Sequence, residues 1–139
     1  MKRVHLAIGS ALLGMGLLGV GAADARVRLT PQAQLDKIVA GRVAGKPVNC
    51  INQRDIRSTE IIDGIGIVYT TNNGTAYVNR PDGGAGFLDS DDILVTRSYT
   101  SQLCRIDIVQ LISRTGQFPK GSIGLNEFVP YPKPPKVRS

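Results

Sequence analysis

Apolar residues first recur at helical spacing behind Thr30-Pro31. Leu35, Ile38 and Val39 fall on one face, joined by the aliphatic stem of Arg42. Threonine before proline is a start signal, because the hydroxyl can cap free amides and proline fits the first helical position. Gly41 or Gly45 is expected to end this helix. The stretch that follows, GRVAGKPVNC, is irregular, and its Pro47 argues against continued helix. From residue 51 the period shortens towards two. INQRDIRSTEIID is ambiguous, with alternation strongest from Arg57 to Ile62. GIVYTT and TAYVNR, joined through Asn72-Asn73-Gly74, predict a β-hairpin, because Asn and Gly tolerate the positive φ angles of a tight turn. Pro81, Asp82, Gly83 and Gly84 close it with a second turn. DILVTRSY at 92–99 and CRIDIVQLI at 104–112 predict two further strands, the second ending near Thr115-Gly116. IGLNEFVPY predicts a short last strand. Within CRIDIVQLI, alternation sets Cys104, Ile106 and Ile108 on one face, expected to be core, against Arg105, Asp107 and Val109 on the other.

These elements define a mainly β (α+β) domain, either a small antiparallel sheet or a partly closed barrel, with one N-terminal helix. A closed barrel would remove exposed strand edges. The expected organisation is a leader at 1–25, one β-rich domain at 26–131 and a Pro/Lys-rich flexible tail at 132–139. The tail has too much proline for anything but an extended segment.

The leader changes the picture most. MKRVH is basic, the next residues are apolar but studded with glycine, and ADA at 23–25 places small residues where a signal peptidase reads. This is the layout of a secretory signal peptide cleaved after Ala25. A membrane anchor is the rival reading of an apolar run of about 18 residues. Cleavage predicts a periplasmic or secreted protein with no integral membrane segment after processing. The leader holds Lys2, Arg3 and Asp24, so its removal lowers the formal charge from +6 to +5. It also holds His5, the one histidine of the chain. A processed chain therefore has no imidazole to act as a base near neutral pH. Cys-His pairs, histidine triads and the usual histidine-containing zinc sites are excluded.

Cys50 and Cys104 remain. An even count in a small exported domain reads as a disulfide, closing a loop of about 55 residues and worth roughly 4 kcal/mol in the chain-entropy model. Two free thiols are the alternative; a redox pair fits less well, because catalytic dithiols usually sit as C-x-x-C. Arg105 beside Cys104 does not make the thiol a nucleophile, since neighbouring side chains on a strand point to opposite faces.

Other candidate chemistry is thin. The DSDD run at Asp89–Asp92 invites a metal, but a calcium loop started at Asp89 would need glycine and glutamate where Leu94 and Thr100 stand. A turn or capping role fits these aspartates better. Glu60, Asp63, Asp107 and Glu127 include the carboxylates that a glycoside hydrolase would need about 5 to 9 Å apart across a groove, and nothing in their spacing shows convergence. The chain has no tryptophan to stack on a sugar, leaving Tyr77 or Tyr99 for that role. Gly83, Gly84 and Gly86 lack a following G-K-[ST], so no phosphate loop and no cofactor is expected.

The basic excess is scattered over Arg54, Arg57, Arg80, Arg97, Arg105 and Arg114, with Lys133, Lys136 and Arg138 in the tail. A nucleic-acid surface would gather such residues on one face with aromatics between them. No nucleic-acid partner is expected of an exported domain, whereas an envelope protein or an anionic envelope component is.

The pieces Cys50, RDIRS at 54–58, TAYVN at 75–79, VTRSYTSQLCRIDIV at 95–109 and GSIGLNEFVPY at 121–131 together resemble a group of small secreted proteobacterial proteins of unknown function. Its most specific parts are the LCxxDIV segment and a closing GxFxPY-like element. Members of that group typically carry four cysteines, two of them matching Cys50 and Cys104. The others fall near Ala85 and at Ile123 and are both missing here, as expected if those two bond each other. The resemblance implies an exported, disulfide-bearing domain and implies no activity.

The sequence therefore points to an exported non-enzymatic domain that binds a protein or envelope component. The alternatives are a small carboxylate-dependent envelope hydrolase, with Glu60 and Asp107 as its pair, or a protein inhibitor of such an enzyme, presenting the loops at 82–86 or 116–121. The expected binding face is the polar side of the strands between Asp92 and Ile112, with Arg97, Arg105 and Asp107, and with Tyr77 and Asn79 nearby.

Overall fold

The computed structural model describes residues 27–137; the expected leader and the last two tail residues lie outside them. A helix, α1 (Pro31–Val39), precedes nine strands. These are β1 (Cys50–Asn52), β2 (Ile56–Ile62), β3 (Gly66–Thr71), β4 (Ala76–Asn79) and β5 (Asp92–Thr96), then β6 (Gln102–Cys104), β7 (Ile108–Ser113), β8 (Pro119–Gly124) and β9 (Phe128–Tyr131). They form three open antiparallel sheets: β2-β3-β4-β9, β5-β7-β8 and the short pair β1-β6. Of the two expected forms, the structure has the open one.

The helix starts as its sequence dictates. Thr30 caps it by accepting a hydrogen bond from the Ala33 amide at 3.2 Å, and Pro31 takes the first position. It ends at Val39, two residues before Gly41 adopts φ +70°. Leu35 is buried against Ile62, Val68, Ala76 and Val78, with Ile38 and Val39 packed alongside. Those strand residues lie on one face of the four-stranded sheet. Its other face contributes Ile61, Ile67, Tyr69 and Phe128 to a larger core shared with Ile51, Leu103, Val109, Leu111, Ile123 and Leu125. β3 is thus covered on both sides, which is why GIVYTT is apolar almost throughout. Gly66, at its start, lies so close to the Asn79 carbonyl that a side chain there would collide with it.

The β3–β4 turn is a three-residue loop. Gly74 donates to the Thr71 carbonyl at 2.9 Å and alone takes the positive φ, +87°. The two asparagines do not share that conformation. Asn73 instead uses its side-chain oxygen to accept from the Thr71 hydroxyl and the Thr75 amide, at 2.7 and 3.0 Å.

Two expected strands are each divided. CRIDIVQLI breaks into β6 and β7, because Asp107 Oδ2 accepts the Cys104 amide at 2.7 Å and the Asp107 amide bonds the Cys104 carbonyl at 2.9 Å. That turn shifts the alternation. Ile106 and Ile108 are 84% and 64% exposed, while Val109 and Leu111 are fully buried, so the expected core face is the outer one. IGLNEFVPY likewise divides between β8 and β9, which belong to different sheets. Asn79 holds the bend between them: its amide donates to the Asn126 carbonyl at 2.6 Å and its oxygen accepts the Asn126 amide at 3.2 Å. β5 stops at Thr96, short of the expected Tyr99.

Cys50 and Cys104 stand directly opposite each other in the β1–β6 register and are joined by a disulfide. On the other side of this pair, the segment ahead of β1 is stitched to β9. Val48 and Phe128 exchange backbone hydrogen bonds at 2.9 Å, and the Gly45 amide donates to the Pro130 carbonyl at 2.7 Å. Among the described residues no helix is long and apolar enough to cross a membrane.

Candidate functional site

Each large sheet ends in a strand with one free side. β2 pairs with β3 alone, and β5 pairs with β7 alone. These two edge strands border a groove of about 740 Å³. Thr59, Glu60 and Ile61 line it from β2, and Asp92, Ile93 and Leu94 line it from β5. Successive side chains of a strand point to opposite faces, so three consecutive residues meet one hollow only when it lies along the strand's edge. The groove therefore borders unpaired backbone on both sides.

Its floor is the top of the main core. Ile61, Tyr69 and Leu103 are buried there, with Ile56 and Leu94 packed beside them. Tyr69 meets Phe128 edge-on with ring centroids 5.8 Å apart, and burial pushes its phenol well above the ordinary value, so the ring stays neutral. The lips are polar. Gln34 of α1 donates to Glu60 Oε1 at 2.6 Å, Gln53 to the Gln102 carbonyl at 3.2 Å, and Arg114 Nε to the Asp91 carbonyl at 3.2 Å.

The two edges differ in protection. β2 exposes Arg57, Ser58, Thr59 and Glu60 and carries a register shift between Ile56 and Ser58. Charges and bulges of this kind discourage the pairing of further strands. β5 reads DILVT, mostly apolar after Asp92, and pairs with β7 without a register shift.

Asp89–Asp92 form the turn into β5: the Asp92 amide donates to the Asp89 carbonyl at 2.9 Å, and the Asp91 amide to Asp89 Oδ1 at 3.0 Å. Lys120 on β8 reaches Asp92 Oδ1 at 3.0 Å and Asp89 Oδ2 at 3.4 Å. Chiefly the Asp91 amide, and then Lys120, hold the Asp89 carboxyl below its ordinary value; the Asp92 hydrogen bond is the main cause that raises the Lys120 ammonium.

The expected binding residues do not share one surface. Asn79 is fully buried and committed to Asn126. Tyr77, half-buried against the main core, lines a separate hollow of about 410 Å³ beside Cys50. Asp107 is turned inward to the Cys104 amide. Arg97 is exposed beyond the end of β5, and Arg105 makes an exposed ion pair with Glu127 at 3.3 Å, a geometry worth little by itself. The outside of the three-stranded sheet carries the partly exposed apolar residues Ile93, Val95 and Ile108 in place of the expected polar surface. Glu60 lines the groove and Asp107 does not, so the carboxylate pair named for hydrolysis does not meet there. The groove residues Thr59, Asp92, Leu94 and Arg114 were not singled out as a site by sequence. Their one signal was an aspartate in phase with Leu94 and Thr96 at the head of an apolar strand.

No protein-family model, curated protein or solved structure matches the chain.

Proposed function

We propose that this protein is an exported, non-enzymatic binding module that holds an extended polypeptide segment of an envelope protein in the groove between β2 and β5. The observation behind this reading is the pair of free strand edges bordering one groove with an apolar floor. Such an edge offers a row of amides and carbonyls to an incoming strand, and the floor offers pockets for its alternate side chains. The five residues of β5 span roughly 17 Å, enough to pair a segment of similar length. An anionic polymer suits the groove less well, because Glu60 and Asp92 outnumber Arg114 along it.

Site-specific photo-crosslinking tests the reading. A photoreactive residue is placed at Thr96, on the groove side of β5, or at Ile108, on the outer face of the same sheet, and each protein is irradiated in an extract of its own cell envelope. A discrete polypeptide adduct at position 96 and none at 108 is expected. Equal adducts at both positions, or none at 96, would overturn the proposal.

A further inference from the structure

Asp92 opens β5 with 5% of its surface exposed, and its carboxylate is only half satisfied. Oδ1 receives Lys120 at 3.0 Å, while Oδ2 is buried with no hydrogen-bond partner. Buried carboxylate oxygens are ordinarily paired, because desolvation removes their water without replacing it. Lys120 cannot balance the charge around it, since the same ammonium also serves Asp89. Two carboxylates thus share one cation.

The unpaired oxygen belongs to a residue on the groove side of β5. Strand alternation puts Asp92 in phase with Leu94 and Thr96, and all three line the hollow. Across it, Glu60 adds a second carboxylate. The positive charge lining the groove is Arg114, whose Nε already bonds the Asp91 carbonyl. A locally acidic groove on a chain of net charge +6 is a departure from the background.

We infer that the groove selects a lysine or arginine in the segment it holds, with the cationic head donating a hydrogen bond to Asp92 Oδ2. This deepens the strand-addition reading and rests on it. A long basic side chain suits the site physically. Its methylenes lie against Ile61 and Leu94 while its head reaches the carboxylate, and a charge-assisted bond gives direction to the contact. Asp92 is then the specificity-determining residue, and the backbone edges supply the sequence-independent part of the grip.

The test is selection of a phage-displayed library of random nonapeptides on the oxidised full-length processed protein. The expected pool carries Lys or Arg at one fixed position between alternating apolar residues. In a synthetic peptide from that pool, norleucine at this position should weaken binding roughly tenfold or more, the scale of a charge-assisted hydrogen bond. Asp92→Asn should bind the basic and norleucine peptides alike. If that variant does not fold, the wild-type selection and the norleucine comparison still decide. Selected peptides that protect β2 and β5 amides from hydrogen exchange but show no basic preference would overturn the inference and leave strand addition standing. No enrichment, or peptides that bind without protecting those edges, would overturn both.

Discussion

The four-stranded and three-stranded sheets share one core and treat their second faces differently. β2-β3-β4-β9 has α1 on its far side, so Leu35 meets Ile62, Val68, Ala76 and Val78 and both faces of β3 are dry. β5-β7-β8 sends Leu94, Val109, Leu111 and Ile123 inwards, and its far side stands open with Ile93, Val95 and Ile108 exposed. Residues of the same type therefore have different energetic weight in the two sheets. An isoleucine on β3 holds the fold, whereas one on the outer face of β7 leaves most of its apolar surface in water. The difference teaches that β-branched composition marks where strands form, while the covering layer decides which of their side chains matter for stability.

The largest effect should come from the sheet covered twice. Phe128→Ala removes the bulkiest fully buried side chain and its contact with Tyr69, and should cost roughly 3–5 kcal/mol in urea unfolding. A loss under about 1 kcal/mol would break the comparison at its strong end.

Replacing Cys50 and Cys104 together by serine removes the covalent tie across the β1–β6 pair. The expected loss is about 2–4 kcal/mol. Alkylation of the native, unreduced protein should label no thiol.

Asn79→Ala strips the Asn126 backbone of both its partners and should lower stability by about 1–3 kcal/mol. Hydrogen exchange should quicken first around 125–128, where β8 passes to β9.

Ile108→Ala, on the open face, should stay within about 0.5 kcal/mol of wild type. A cost close to that of Phe128→Ala would mean that this face is covered in solution.

The smallest effect is electrostatic and local to the entry of β5. Asp89 is held below its ordinary 3.8, so its contribution is present above that pH and fades as pH falls through the lowered value. Lys120 is held above 10.5, so its contribution is present below that pH and fades as pH rises through the raised value. Unfolding midpoints should show no trend from this cluster across neutral pH. Asp89→Asn should blunt the acid-side decline alone.

Local signals carried much of this fold. Thr30-Pro31 set the helix start, and the turn residues around Gly74 marked the hairpin. What alternation missed was phase. A single turn at Arg105–Asp107, held by the Asp107 carboxylate, moved Ile108 outwards and Val109 inwards. A side-chain cap of this kind leaves no mark on the hydrophobic pattern, since an aspartate among isoleucines reads equally well as the polar side of a strand. The groove was less legible than the fold. It is assembled from residues 34 to 114, and an edge strand is recognised only once its neighbours are known. Asn79 was hidden for the same reason, because its partner Asn126 lies 47 residues away.

β9 is stitched both to β4 and to the segment ahead of β1. Phe128, the keystone of the main core, arrives on the last strand, after all eight others have been delivered. Until it docks, Tyr69 lacks its aromatic partner, Val48 lacks its backbone partner and β4 has an open flank. Closing these contacts joins residues 45–48 to residues 128–130, one of the longest loops the domain must shut, and contacts of such sequence separation slow folding.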